Sequence, residues 1–358
     1  MPSLKEIKGR INSISSTLAI TSAMKMVAAA KLQKAQMAIQ NMLPYERRLH
    51  SMLIDLMGAM NISAAASEDG SVRGSGSAER GFDQSGDRLS LSNRHDLAGM
   101  DGAYSLMAQR EVRKVAIVAF ASNSSLCGAF NSNVIREATA VINEYRASGL
   151  GDAGITVYSV GRKMAEAMKK LGFPSPADFT KMSDSPSYEA ASALAQELLD
   201  GFVSGRFDKV ELVYNHYKST SSQPTIRQTY LPLSLADATA DLQAGKITDS
   251  ASESDTNRVA EPVGAPVVRQ GSPTTEDLIV EPSKEALIAT LLPKVIRLRI
   301  FTTLLDSAAA EHAARTVAMQ LATDNGNDLL QELTLEYNKG RQQKITSEIL
   351  DLVGGSMQ

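Results

Sequence analysis

Apolar side chains recur along the first part of the chain at a spacing that alternates three and four. The positions are Leu4, Ile7, Ile11, Ile14, Leu18, Thr21, Lys25, Ala28, Leu32, Ala35, Ile39 and Met42, and ten of the twelve are apolar. This is a heptad seam. A helix from residue 4 to 42 would be roughly 60 Å long, more than an ordinary globular core can cover. It therefore predicts a partner helix of similar length. Ser3 and Glu6 make a capping-box pattern at its start. Pro44 is expected to kink or interrupt it. Leu49, Leu53 and Leu56 suggest that it resumes to about residue 60. The two polar seam positions, Thr21 and Lys25, are neighbours on the seam. They fall in TSAMKMVAAAKLQKAQ (residues 21–36), where Met24, Met26 and Val27 lie off it. That misfit suggests a second partner on the outer face.

The other end of the chain supplies the first partner. Pro293 suits the first turn of a long helix, and no proline follows from Lys294 to Leu352. Such a helix would be about 90 Å long. Ala308, Ala309, Ala310, Ala313, Ala314, Ala318 and Ala322 keep its middle small enough for close helix approach. Leu330, Leu333, Tyr337, Ile345 and Ile349 continue at helical spacing, while Gly326 and Gly340 are expected bends. Neither helix can hide its stripe alone, so the two are expected to pair as an antiparallel coiled coil.

Between them the pattern alternates. KVAIVAF (114–120), ITVYSVG (155–161), KVELVYNHYKS (209–219) and TIRQTYLPL (225–233) read as strands. Residues 132–148, 162–172 and 188–205 read as helices, the second stopped by Gly172. Alternation of this kind predicts a small, partly parallel α/β domain with right-handed crossovers at the base of the coiled coil. Gly- and Ser-rich stretches without a period mark two polar insertions. The chain thus divides into an N-terminal shaft helix (1–60), an insertion expected to be flexible (61–109), a globular domain (110–233), a second insertion (234–275), a return to the shaft (276–292) and a C-terminal shaft helix (293–358). DLIVEPS (277–283) is a further edge-strand candidate.

Composition narrows the chemistry. One cysteine, Cys127, excludes an intrachain disulfide framework and a multi-cysteine metal site, and four scattered histidines argue against zinc. The opening MPSLKEIKGR lacks a signal-peptide pattern, and no apolar run approaches the ~20 residues needed to span a bilayer. A net charge of -3 does not call for nucleic acid. The first 43 residues are nevertheless basic, with Lys5, Lys8, Arg10, Lys25, Lys31 and Lys34 against Glu6. That segment can steer an acidic partner.

Cys127 in SNSSLCGAFNSN follows a strand, where a nucleophile can sit at a helix start. The candidate bases, His216 and His312, have no signature linking them to it, and a small buried cysteine beside Gly128 is the favoured reading. Neither GxGxxG nor GxxxxGK[ST] occurs. Asp324, Asn325, Asn327 and Asp328 crowd one helical region but do not follow an EF-hand. Helix capping, helix–helix hydrogen bonds and partner binding all stay open for them. Arg341, Gln342 and Gln343 fit either a solvated face or a set of donors for carboxylates on a surrounding protein. No catalytic residue, cofactor or metal is expected.

Three segments carry a resemblance: ITSAMKMVAAAKLQKAQ, SLCGAFN and AMQLATDNGNDLLQELTLEYNKGRQQKITSEILDLVGG. With them the chain resembles the γ subunits of F-type ATP synthases over residues 1 to about 58, 110–233 and 276–354. The resemblance implies an α/β fold: a long antiparallel coiled coil of N- and C-terminal helices with a central Rossmann-like domain. It implies a non-catalytic central-stalk rotor that couples transmembrane ion flow to ATP synthesis or hydrolysis in an α-β catalytic ring. The implied partners are the α, β and ε subunits and the membrane c-subunit ring. The implied place is peripheral, on the cytoplasmic side of the bacterial plasma (inner) membrane. By resemblance Met24 belongs to the neck that faces β, with Lys25 and Met26 beside it. Arg315, Gln320, Thr323 and Asp324 match the opposing C-terminal region, and Arg341 and Gln342 the upper part that the ring embraces. The chain departs from the family pattern at Ala19, Ser22, Ser122–Ser125, Thr316, Val317, Gly326 and Gly340.

Overall fold

The computed structural model describes residues 3–68, 106, 110–233 and 284–355. Two helices dominate it, α1 (Leu4–Glu68) and α6 (Lys284–Gly355). Between them, in chain order, lie β1 (Val115–Phe120), α2 (Phe130–Ala147), a 3-10 turn (Asp152–Gly154), β2 (Ile155–Val160), α3 (Arg162–Lys170), α4 (Thr180–Asp184), α5 (Tyr188–Val203), β3 (Lys209–Asn215) and β4 (Thr225–Leu231). The sheet order is β2-β1-β3-β4. The β1–β2 and β1–β3 pairs are parallel, and β3–β4 is antiparallel.

The central strand β1 reads VAIVAF and is buried at every position, as a parallel strand covered on both faces must be. One face carries Ile117, Val134, Val141, Ile142, Met164 and Met168, which seal the sheet against α2 and α3. The other packs Phe120, Leu212, Leu198 and Phe202 against Leu292, Ile296 and Ile300 of α6 and Leu49 and Leu53 of α1. The lower halves of the long helices are thus one layer of the domain as well as the root of the shaft. Helix α3 ends in a Schellman motif: Phe173 N–H donates to Met168 O (2.9 Å) and Gly172 N–H to Lys169 O (3.2 Å), with Gly172 at φ 90°.

Strand β3 hides a charge. Glu211 accepts from Tyr145 Oη (2.6 Å), Lys209 Nζ (2.7 Å) and Arg227 Nε (2.8 Å), and Arg227 also binds Glu144. Burial pushes the Glu211 carboxyl upward, but these donors outweigh it and hold it below the usual range.

Two expectations about the long helices are corrected. Pro44 does not end or interrupt α1, which continues to Glu68, past residue 60. Its ring is on the exposed side, while buried Leu49, Leu53 and Leu56 hold the continuation against the domain. Pro293 does not open α6, which starts at Lys284. Buried Ile288 and Leu292 recruit the preceding residues into the core, and this burial outweighs the cost of an interior proline. The helix also runs on through Gly326 and Gly340. The remainder of 61–109 apart from Leu106, the segment 234–275 and the DLIVEPS strand candidate lie outside the described residues.

All twelve seam positions of α1 are buried or half-buried. On α6 the matching row is Thr323, Gly326, Leu330, Leu333, Tyr337 and Gly340, each half-buried, and beside them only Asn338 is not exposed. The antiparallel register is visible at three places. Leu4 lies against Gly340, Leu18 against Gly326, and the hydroxyls of Thr21 and Thr323 are 3.2 Å apart. Each step forward along α1 is matched by one step back along α6.

Candidate functional site

The globular domain grips the shaft through two loops. The first follows β1 and contains SLCGAF. Cys127 is buried with Phe130 against Ala310 of α6. Asn131 Nδ2 lies 3.2 Å from Cys127 Sγ and 2.8 Å from Ser122 Oγ, closing the loop on itself. Asn123 Oδ1 accepts from the Arg162 N–H (2.8 Å) and Ser122 O from the Lys163 N–H (3.1 Å), so the loop also caps α3. Arg315 of α6 then donates from Nη2 to Ser124 Oγ (2.7 Å) and pairs with Glu311 (2.9 Å). Burial pushes the Glu311 carboxyl up; Arg315 and Lys31 pull it down and Asp184 adds to the rise. Burial, aided by Lys31 and Arg315, lowers the neighbouring His312 to about 4, so it stays neutral.

The second grip follows β3. Asp306 of α6 accepts the Tyr217 N–H (2.9 Å) on one oxygen and meets His216 Nδ1 (2.6 Å) on the other. The Tyr217 ring packs toward both long helices, and its hydroxyl accepts from Gln36 Nε2 of α1 (2.6 Å). One turn therefore touches both strands of the shaft. The hydrogen bond to Asp306 raises the His216 pKa, with burial opposing. A raised histidine pKa adds stability below its unfolded value near 6.5, and this is lost as pH rises through the folded value. Asp306→Asn is therefore expected to cost about 1 kcal/mol more near pH 6 than near pH 8, after discounting for the solvent exposure of His216. Urea titrations at the two pH values check it.

The sequence-predicted site residues separate into three groups. At the neck, Met24 and Lys25 are half-buried, while Met26 is 64% exposed, with Ile20 and Val27 also exposed on α1 and Leu321 exposed on α6. Across the shaft, Gln320 donates to Asp324 (2.8 Å), Thr323 meets Thr21, and Arg315 is occupied by the loop after β1. Arg341 and Gln342 stand apart from both groups. They lie past Leu4, where α1 begins, on the segment 341–355, roughly 22 Å of helix. That segment exposes Ile345, Ile349, Leu350 and Leu352. The polar run Asp324, Asn325, Asn327 and Asp328 is exposed.

Sequence reasoning missed Gln36, Tyr217, Asp306 and Ser124 as contact residues. They come from four distant parts of the chain, and only the fold brings them together. Cys127 is buried and its near polar neighbours are Asn131 and Ser122, neither a base. Among the described residues no cluster of His, Cys, Asp and Glu could hold a metal ion, and no helix is long and apolar enough to cross a membrane.

A family model described as ATP synthase matches residues 3–357. The ATP synthase gamma chain of Phocaeicola vulgatus is 47% identical over 357 residues, covering 100% of both chains. That of Bacteroides thetaiotaomicron is 45% identical over 358 residues, again with 100% of both covered. Among solved structures, a chain of the Euglena gracilis mitochondrial ATP synthase, in an OSCP/F1/c-ring structure, matches with a TM-score of 0.53 and 18% identity, over 99% of this chain and 93% of that one. At that identity the likeness speaks for the fold.

Proposed function

The chain belongs to the ATP synthase γ family, and from that premise we propose that it is the central-stalk rotor, coupling transmembrane ion flow to ATP synthesis or hydrolysis in an α-β ring. The observation that carries this reading is the 341–355 overhang: a helix end that runs past Leu4, where α1 begins, and exposes Ile345, Ile349, Leu350 and Leu352. Such a surface is stable in water only at a cost and fits a surrounding sleeve. The chain itself is non-catalytic, and its nearest approach to a nucleophile, Cys127, is packed away. The globular domain at the base meets ε and the c-subunit ring, which places the chain peripherally, on the cytoplasmic side of the bacterial plasma membrane.

Met26, rather than Met24, presents its side chain outward at the neck. Met24 and Lys25 precede it on α1, Gln320 and Asp324 belong to the opposing helix, and Arg341 and Gln342 face the upper ring. Contacts of this kind are weak one by one, which suits a surface that must pass from one β subunit to the next.

The test is coexpression with α and β subunits. The chain is expected to copurify with an α-β ring and to show no ATPase activity alone. In the membrane-reconstituted complex, Met26→Lys is expected to lower ion pumping per ATP several-fold with assembly unchanged. Turnover by the isolated chain, or failure to join the ring, would count against the reading.

A further inference from the structure

Pairing two long helices along a repeating seam leaves a problem of register. A heptad pattern can slide by seven residues and still bury apolar side chains. In this shaft the globular domain holds the lower half of the pair, through Tyr217 and the shared core, and above it one level breaks the degeneracy. A Cβ built on Gly326 would lie 2.6 Å from Leu18 Cδ2 and 3.1 Å from Leu18 Cγ. Leu18 thus sits directly on the backbone of α6, in a notch at Gly326 that a methyl group would fill unless the leucine moved. One helical turn further along α1, Thr21 faces Thr323, hydroxyl to hydroxyl at 3.2 Å. Sliding α6 by one heptad either way would bring Leu333 or Met319 to the place of Gly326. It would also set Thr21 opposite Leu330 or Thr316. The first change removes the notch whichever way the helix moves.

We propose that Gly326, with Leu18 in its notch and the Thr21–Thr323 pair beside it, sets the register of the shaft and so the height at which the two halves of the neck stand side by side. Gly326 is a positioning residue: it acts through Leu18 and touches no reacting group. Gly340 makes a weaker contact of the same kind. Among the described residues a Cβ there would meet only Leu4 Cδ2, at 3.1 Å, in the first turn of α1 where the side chain can yield. The inference rests on the rotor reading for its functional consequence, not for its geometry.

Disulfide trapping in the complex with α and β reads the register directly. In a Cys127→Ala background, Thr21→Cys is combined with Thr323→Cys for the native register, and with Thr316→Cys or Leu330→Cys for the slipped ones. The native pair is expected to close. Adding Gly326→Ala is expected to lower its yield at least threefold and to raise that of a slipped pair, and adding Leu18→Ala to restore the native pattern. Gly340→Ala is expected to leave it unchanged. Native cross-linking undiminished by Gly326→Ala overturns the proposal. If Gly326→Ala does not accumulate, the double variant decides: recovery with Leu18→Ala supports the notch, and failure to recover overturns it. Ion pumping per ATP is measured alongside and should fall and recover with the cross-link. A shifted cross-link with pumping intact would support the register assignment and count against the rotor reading instead.

Discussion

Gly161→Ala is expected to destabilise the globular domain by about 4 kcal/mol or more, the class of loss reserved for a named steric fault. Gly161 links β2 to α3 at φ 97° and ψ 144°, a region essentially restricted to glycine. A Cβ there would come within 2.0 Å of the Ala121 carbonyl oxygen. That atom is main chain at the end of the central strand, so no rotamer change relieves the clash. The same turn presents the N–H groups of Arg162 and Lys163 to Asn123 and Ser122. Displacing it therefore also releases the loop that carries Ser124 and Cys127 to the shaft. Differential scanning calorimetry of the full chain should show a fall in Tm of about 10 °C. Gly172→Ala is the control. It too has a positive φ, but among the described residues a Cβ there meets nothing within 4 Å. Its cost should be only the backbone strain, about 1–2 kcal/mol. Equal losses at the two sites would show that conformation, not the contact with Ala121, governs Gly161.

How far the sequence revealed the molecule depended on the range of the interaction. The seam from Leu4 to Met42 was legible because a helix repeats the same contact every three or four residues, so one face is written along the chain. Strand β1 was legible for a similar reason: six apolar residues in a row have no solvent face. The ends of the long helices were not, because Pro44 and Pro293 act locally as breakers while burial of Leu49, Leu53, Ile288 and Leu292 acts at a distance. Helix α4 has only five residues and no period to read.

The candidate site divides along the same line. Thr21 and Lys25 stood out as breaks in the seam, and for Thr21 the structure supplies a cause across the shaft, in Thr323. Gly326 read as a bend because its propensity is visible and its neighbour is not; Leu18 is more than three hundred residues away in sequence. The grip of Asp306 on His216 and Tyr217, and of Arg315 on Ser124, joins polar residues that carry no periodic signal. Glu211 is the extreme case. A glutamate in a buried strand contradicts the pattern until Arg227, Lys209 and Tyr145 are placed around it.

Arg315→Ala should be among the costliest changes on the shaft, and its cost should depend on pH. Arg315 is the ion-pair partner of Glu311, which is only 7% exposed. Removing one member of a buried pair leaves the other charge without compensation, typically a loss of about 3–5 kcal/mol. Glu311 has an escape, because it can take up a proton. Burial already raises its pKa, and Arg315 is one of the two charges that oppose the rise. Without Arg315 the folded value must climb further, with only Lys31 left to restrain it. A carboxyl raised on folding contributes no penalty below its unfolded pKa near 4.3, and stability is lost as pH rises through the folded value. The gap between wild type and Arg315→Ala should therefore be small near pH 5 and approach its full size near pH 8. Chemical denaturation of the full chain at both pH values measures it, and hydrogen exchange should rise in residues 122–130 as Ser124 loses its donor. Adding Glu311→Gln to Arg315→Ala should flatten the pH dependence, since no buried charge remains to be compensated. A loss that is equal at both pH values, and unaffected by Glu311→Gln, would mean that the arginine stem holds the loop by packing and that its charge is incidental.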